Sequence, residues 1–342
     1  MRIGLDAMGG DIGPQATVLG AVESLKHIAS DVVLFGDQMQ IEAVLTGLTY
    51  DKGRIHIVHT DEVIGNEEAP VKAIRSKKNS SMVLGLQGLI DHTLDAFISA
   101  GNTGALLAGG TLKVGRLTGI DRPALTIPYP MDTGIGVLVD AGANTECSPK
   151  NLQQFAIMGH LYARFVFQME KPLTGLVNIG TEEKKGNTLY QESHQLLKKT
   201  PIIEFYGNLE ARDIPAGVCD VIVCDGFTGN IILKLSEGIA KSFSKNLKAS
   251  LLKNVFTKLA ALVIKPGLEA FKKKLDYTEY GGAPLLGVKA PVVKAHGSSN
   301  AKAFMNAIRY AERYAASGVI AKIEQSMTEL GDDAEQKKED NQ

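Results

Sequence analysis

Six short segments of this chain carry the same chemistry. Each follows an apolar run and is built from small, polar, glycine-bearing residues. They are Asp6-Ala-Met-Gly-Gly-Asp11, Ser99-Ala-Gly-Asn-Thr-Gly104, Asp140-Ala-Gly-Ala-Asn144, Asn178-Ile-Gly-Thr181, Asp225-Gly-Phe-Thr-Gly-Asn230 and His296-Gly-Ser-Ser-Asn300. Glycine lets a main chain approach a ligand closely, and Thr, Ser and Asn add hydroxyl and amide donors. Where such a segment opens a helix, free N–H groups and the partial positive charge of the helix end favour phosphate or another small anion. Any one of these segments alone is an ordinary turn with a helix N-cap. Six with uniform chemistry point to an anion site.

Other chemistries lack their signatures. The chain contains no G-x-G-x-x-G, no G-x-x-x-x-G-K-[ST] and no G-x-S-x-G. A dinucleotide fingerprint, a P-loop and an acyl-serine elbow are therefore unsupported. His56 and His59 alternate poorly for a shared ligand, and there is no H-E-x-x-H or Cys–His cluster, so a metal is disfavoured, as is an acyl-enzyme. What remains is direct attack on an electrophile by a bound nucleophile.

The elements that must position these segments read as alternating strands and helices. Strands are expected at Arg2–Leu5, Val32–Phe35, Arg54–Val58, Ala96–Ser99, Ala124–Ile127, Ile135–Val139, Leu173–Asn178, Ile202–Tyr206, Asp220–Val223 and Val292–Lys294. Helices are expected near 14–28, 39–45, 70–77, 80–91, 102–115, 149–168, 187–198, 230–253 and 299–329. This alternation predicts an α/β fold, a mostly parallel sheet covered by helices on both faces. In such a sheet the strand carboxyl ends share one rim, which is where ligands bind. Residues 1–330 are expected to form one α/β domain of two intimate lobes, with a helical arm at about 237–275. The polar end, 331–342, is expected to be a disordered tail.

Bulk properties exclude some functions. A net charge of −1 over 342 residues argues against nucleic-acid binding by overall electrostatics. Three cysteines with no C-x-x-C suit a reducing compartment such as the cytoplasm. The N-terminal Met-Arg-Ile-Gly-Leu-Asp reads as a strand rather than a signal peptide, and no apolar run approaches bilayer length.

Local charge is less even. Residues 241–274 hold nine lysines, at 241, 245, 248, 253, 258, 265 and 272–274, against one acid, Glu269. Leu251, Leu252, Val255, Phe256, Leu259, Leu262 and Val263 recur among them at helical spacing. Pro266-Gly267 is expected to turn the chain back, which gives an amphipathic, lysine-rich hairpin. Its apolar stripe suits a dimerisation arm, and its tip, with Lys253, Lys258, Leu259, Leu262 and Lys265, suits an anionic membrane or an acidic carrier protein. A second basic cluster, Lys72, Arg75, Lys77 and Lys78, reads equally as a carrier-docking patch or a solvated helix face.

Several of these motifs also resemble those of the PlsX family of phosphate acyltransferases. The resemblance lies in Ile3-Gly-Leu-Asp-Ala-Met-Gly-Gly-Asp11, Lys77-Lys-Asn-Ser-Ser-Met82, Ser99-Ala-Gly-Asn-Thr-Gly-Ala105, Asn178-Ile-Gly-Thr-Glu-Glu-Lys-Lys-Gly-Asn187, Asp225–Asn230, Tyr280-Gly-Gly-Ala283 and Lys294-Ala-His-Gly-Ser-Ser299. It runs in order from residue 1 to about 325. It implies transfer of a fatty acyl group from acyl carrier protein to inorganic phosphate, without a cofactor. The acyl phosphate would then serve a membrane acyltransferase in phospholipid synthesis. It also implies a homodimer with a fold related to phosphotransacetylases and the isocitrate dehydrogenase group. Lys184 and Asn230 match family positions proposed to act in catalysis, and His296 is a candidate to orient a group or protonate the leaving thiolate. Candidates for holding phosphate or substrate are Asp6, Gly9, Gly10, Asn102, Thr103, Gly104, Thr181, Thr228, Gly229 and Ser298. For the residues alone, Lys184 also reads as a solvated loop lysine, Asn230 as an N-cap and His296 as a structural histidine. Rival readings are a phosphate acetyltransferase acting on acyl-CoA, a dehydrogenase of related fold and a membrane-associated scaffold.

Overall fold

A computed structural model describes residues 1–275 and 281–339. Tyr280 and residues 340–342 lie outside the described residues, as do the side chains of Lys272, Lys273 and Lys274. The chain opens with β1 (Arg2–Asp6), α1 (Gln15–Ser24), β2 (Asp31–Gly36), α2 (Gln38–Leu45), β3 (Ile55–His59), α3 (Pro70–Ser76), α4 (Ser81–Ile90), β4 (Ala96–Ser99) and α5 (Thr103–Gly109). Next come β5 (Ala124–Met131), β6 (Gly134–Val139), α6 (Pro149–Val166), β7 (Leu173–Asn178), α7 (Thr188–Lys198), β8 (Glu204–Glu210) and β9 (Val221–Val223). Two long helices, α8 (Gly226–Leu251) and α9 (Val255–Leu275), lead back to β10 (Ala283–Leu286), β11 (Val292–Lys294), α10 (Ala301–Ala316) and α11 (Val319–Glu339).

Among the described residues eleven strands form one sheet, in the order β3-β2-β1-β4-β11-β10-β5-β6-β9-β7-β8. The strands are short and rich in Val and Ile, and most are buried on both faces, as expected where helices cover both sides. One core gathers α1, α6, α10 and α11 on one face, and a second lies under α3, α4 and α5. Helix starts follow the local code: Asp37, Asn102, Asn187, Asp225 and Asn300 each accept a main-chain N–H as N-cap, and Ser148 forms a capping box with Asn151.

One expectation about the rim changes. Strands β3, β2, β1, β4 and β11 are parallel, and so are β6, β9, β7 and β8. Between these blocks β11–β10, β10–β5 and β5–β6 are all antiparallel. Three reversals leave the two blocks running in opposite directions, so the six segments divide into two groups rather than sharing one rim. Strand β10 is the element the sequence did not reveal. Ala-Pro-Leu-Leu has no alternation and contains a proline that cannot donate to a ladder.

Three further boundaries differ. The long C-terminal helix is broken at Gly318 (φ +67°) into α10 and α11. The expected tail is helical through Glu339, since Asp-Asp-Ala-Glu-Gln-Lys-Lys-Glu contains mostly good helix formers. The arm turns at residues 252–254, where Asn254 accepts the Thr257 N–H at 3.0 Å, and not at Pro266, which lies inside α9. Pro266 and its surroundings are exposed, so the carbonyl left without its helical partner lies at the surface.

Candidate active site

The first group of turns is made by β1, β4 and β11. Its members meet main chain to main chain: the Asp11 N–H donates to Gly297 O at 2.8 Å, and the Ala295 N–H to Ser99 O at 2.9 Å. Gly10 has φ +93°, and a side chain there would press on Gly297 O at 3.0 Å, so glycine is required on both counts. Asp6 is only 2 % exposed. It accepts the Ser99 hydroxyl at 2.7 Å and the Met8 N–H at 3.2 Å, and burial raises its carboxyl above the usual range. Asp6 is thus the residue that ties this group together. Asn102 is likewise committed: it caps α5 and donates to the carbonyls of Gly65, Asn66 and Glu68 at 3.0–3.1 Å. Thr103 and Gly104 form the first turn of α5, with Thr103 exposed.

His296 and Ser298 complete this group. The Ser298 N–H donates to His296 Nδ1 at 3.2 Å, with the Ser298 hydroxyl 2.9 Å away. An accepting Nδ1 puts the proton of the neutral ring on Nε2. Burial lowers the pKa of His296. Glu237 opposes this, and Lys234, Lys294 and Lys241 reinforce it, so the ring is held neutral near pH 7.

The second group is made by β6, β7 and β9. Asp140 lies fully buried at its centre and accepts the N–H groups of Leu125, Gly142, Ala143 and Asn144 at 2.8–3.1 Å. The Gly226 N–H donates to Asn144 O at 2.7 Å, which seats the start of α8 against this turn. A side chain at Gly229 would collide with Asp140 O. Asp225 caps α8 through the Thr228 N–H at 2.9 Å, accepts the Thr228 hydroxyl at 2.9 Å, and also accepts a short bond from the Tyr190 hydroxyl. Thr228, expected as a free donor to phosphate, is therefore engaged in the cap.

Lys184 and Thr181 project from the 179–187 loop and are exposed. Asn178 and Gln191 hold the loop by donating to the carbonyls of Lys185 and Lys184 at 3.0 and 2.8 Å. Among the described residues the Lys184 ammonium makes no hydrogen bond or ion pair. Tyr190, on the helix that leaves this loop, ties the loop to the first turn of α8. Asn230 stands over Gly142, with its amide oxygen 3.6 Å from where a side chain there would begin.

α8 joins the two groups. At ~100° per residue, Gly226, Asn230, Lys234, Glu237 and Lys241 share one face. That face starts at the second group and reaches the first: Lys234, Glu237 and Lys241 act electrostatically on His296, and Lys234 on Lys294. From Gly226 to Glu237 is about 16 Å along the helix. The inner face packs Ile232 and Leu233 against the core, and Tyr129 and Ser236 hydroxyls meet at 2.7 Å. A third face, Phe227, Ile231, Leu235, Ile239 and Phe243, is exposed and apolar.

The basic patches divide as well. Lys77 donates to Val63 O at 2.7 Å and pairs with Glu68 at 2.6 Å, so it secures the preceding loop instead of offering a free charge. Lys72, Arg75 and Lys78 are exposed, and the first two line an open surface hollow of about 700 Å³ with Ala69, Pro70 and Val71. On the arm, Lys253, Lys258, Leu259, Leu262 and Lys265 are all exposed, and Lys265 lies 3.7 Å from Glu269. Among the described residues, no helix is long and apolar enough to cross a membrane, and no group of His, Cys, Asp and Glu converges as a metal site would. Tyr190 and Lys234 are members of this region that the sequence did not single out, while Asp140 and Lys294 opened segments noted there without being named as site residues. The nearest signal was the placement of Lys294 at a strand end beside a glycine turn.

Residues 1–322 match the model of a family described as "Fatty acid synthesis protein". The chain is 55% identical over 333 residues to a phosphate acyltransferase of Alkaliphilus oremlandii, covering 97% of this chain and 99% of that one. It is 52% identical over 334 residues to a phosphate acyltransferase of Thermoanaerobacter pseudethanolicus, with the same coverage of each. Among solved structures, a phosphotransacetylase from Streptococcus pyogenes shares the fold with a TM-score of 0.65 at 15% identity, over 92% of this chain and 94% of that one. A 4-hydroxythreonine-4-phosphate dehydrogenase from Klebsiella pneumoniae shares it with a TM-score of 0.52 at 12% identity, over 92% and 99%.

Proposed function

Because the chain belongs to the PlsX family of phosphate acyltransferases, an enzyme family of acyl transfer, we propose that it moves a fatty acyl group from an acyl carrier protein thioester to inorganic phosphate. One observation carries the placement of the reaction: α8 opens beside the Asp140 turn and extends its polar face to the His296 turn. Phosphate is anionic at neutral pH and needs positioning and desolvation more than activation. The α8 amino end contributes a partial positive charge, and Asn230, opening its second turn, contributes an amide donor. Lys184 brings an exposed ammonium from the adjoining loop, toward phosphate or the carbonyl oxygen on which charge builds. Donors aimed at that oxygen are commonly worth ~3 kcal/mol each. Neutral His296 donates from Nε2, and Gly9, Gly10 and Ser298 shape the opposite wall. Asp6, Asn102 and Thr228 hold the turns themselves.

The surroundings follow from exposed surface. The apolar ladder of α8 is covered by a second copy of the chain, giving a homodimer. The hairpin end, where Phe256 is 85 % exposed beside Lys253 and Lys258, rests on an anionic membrane. Lys72, Arg75 and Lys78 meet the acidic carrier protein. The protein works in the cytoplasm, at the membrane surface, and hands the acyl phosphate to a membrane acyltransferase of phospholipid synthesis. The test is carrier thiol release with hydroxylamine trapping. Hydroxamate that forms only with phosphate present is expected, and equal thiol release without phosphate would mark a thioesterase.

A further inference from the structure

Lys294 ends β11 in register with Ser99 of β4, so its side chain enters the crowded centre of the first group of turns. It is mostly buried. Its ammonium donates to Ala100 O at 3.3 Å and, in a short bond, to Ala295 O. Two carbonyls use two of its three N–H groups, and among the described residues no carboxylate lies within ion-pair distance. A buried ammonium without a salt bridge is costly to keep, and a free N–H beside an anion-binding turn is a donor awaiting a partner. Asp6 on β1 and Asp11 in the following turn favour its charge, Lys234 of α8 opposes it, and Lys294 in turn acts on His296.

Resting on the phosphate-transfer reading above, we propose that Lys294 is a further catalytic residue, the proton carrier between the phosphate nucleophile and the departing sulfur. The exchange balances within the reaction. A phosphate oxygen bonds to the carbonyl carbon, the carbon–sulfur bond breaks, and the thiolate takes a proton from Lys294. The neutral amine then recovers the proton that monohydrogen phosphate loses on becoming an acyl phosphate. Burial, partly offset by Asp6 and Asp11, brings the Lys294 pKa down to about 8, close to that of the thiol it serves. His296, held neutral by burial and, to a lesser degree, by the lysines near it, acts beside it as a hydrogen-bond donor.

The test compares Lys294→Arg and Lys294→Met with the wild type, using two thioesters of one fatty acid and phosphate as acceptor. One is on carrier protein, an alkyl thiol. The other is on thiophenol, whose thiolate leaves without a proton. Arginine preserves the charge and the fold but does not give up its proton at working pH. Both variants should lose about 10²-fold or more with the carrier thioester, and only a few-fold with the aryl thioester. The wild-type rate on carrier thioester should fall as pH rises through about 8, where Lys294 deprotonates, and the Arg variant should lack that fall. Equal losses on both thioesters, or wild-type turnover by Lys294→Arg, would overturn the assignment. Wild-type protein that releases no thiol in response to phosphate would instead remove the reading on which it rests.

Discussion

Lys184 and Asn230 are held in different ways, and that difference shapes what their removal does. Lys184 has no partner to lose among the described residues, and Asn230 is exposed over a glycine. Lys184→Met and Asn230→Ala should each slow acyl transfer by ~10²-fold or more while melting temperature stays within a few degrees of wild type. Unchanged turnover in steady-state assays would return either residue to a merely structural place. The turns around them were legible in the sequence because Gly, Asn and Asp encode positive φ angles and helix caps locally. Lys294, Tyr190 and Lys234 were not, because their importance arises from pairing between distant segments. Lys294 matters only once β11 lies beside β4, and Tyr190 only once α7 lies against the cap of α8. Local residue types did not show that Asn102 and Thr228 spend their polar groups inside the protein.

At the scale of the element, α8 depends on a tight entry. Gly229→Ala would drive a methyl group into Asp140 O and should destabilise the fold by about 1–3 kcal/mol. Gly238→Ala, in open space on the same helix, should be neutral or stabilise by roughly 0.5–1 kcal/mol. Chemical denaturation of the two variants checks the contrast, and equal effects would contradict the packing described here. Tyr190→Phe removes the hydroxyl that donates to Asp225, and should cost about 1–3 kcal/mol by the same measurement. The strands and most helices of this layout follow from periodicity and capping. The hairpin turn does not, because an exposed proline can sit inside a helix where the carbonyl left without a partner lies at the surface. Asn254, an unremarked N-cap, sets the bend instead.

The sequence anticipated the α/β layout of the whole molecule but not its antiparallel centre, since strand order and direction arise from long-range pairing. That centre leaves α8 as a bridge with two exposed faces, one polar and one an apolar ladder. Leu235→Glu with Ile239→Glu should convert a dimer to a monomer in light scattering. A dimer that survives would place the interface elsewhere. Phe256→Glu, at the hairpin end, should instead weaken salt-sensitive binding to anionic vesicles, where each nearby lysine adds roughly 1 kcal/mol. Binding equal to wild type would move that contact off the arm. The central claim, direct acyl transfer to phosphate, is tested most directly by following carrier thiol and acyl phosphate together, the latter by phosphorus NMR, with intact-protein mass spectrometry of the enzyme. The account predicts thiol and acyl phosphate in equal amounts, none of either without phosphate, and no acylated enzyme at any time. Thiol released into phosphate-free buffer, or an acyl-enzyme that forms before phosphate is added, would contradict it.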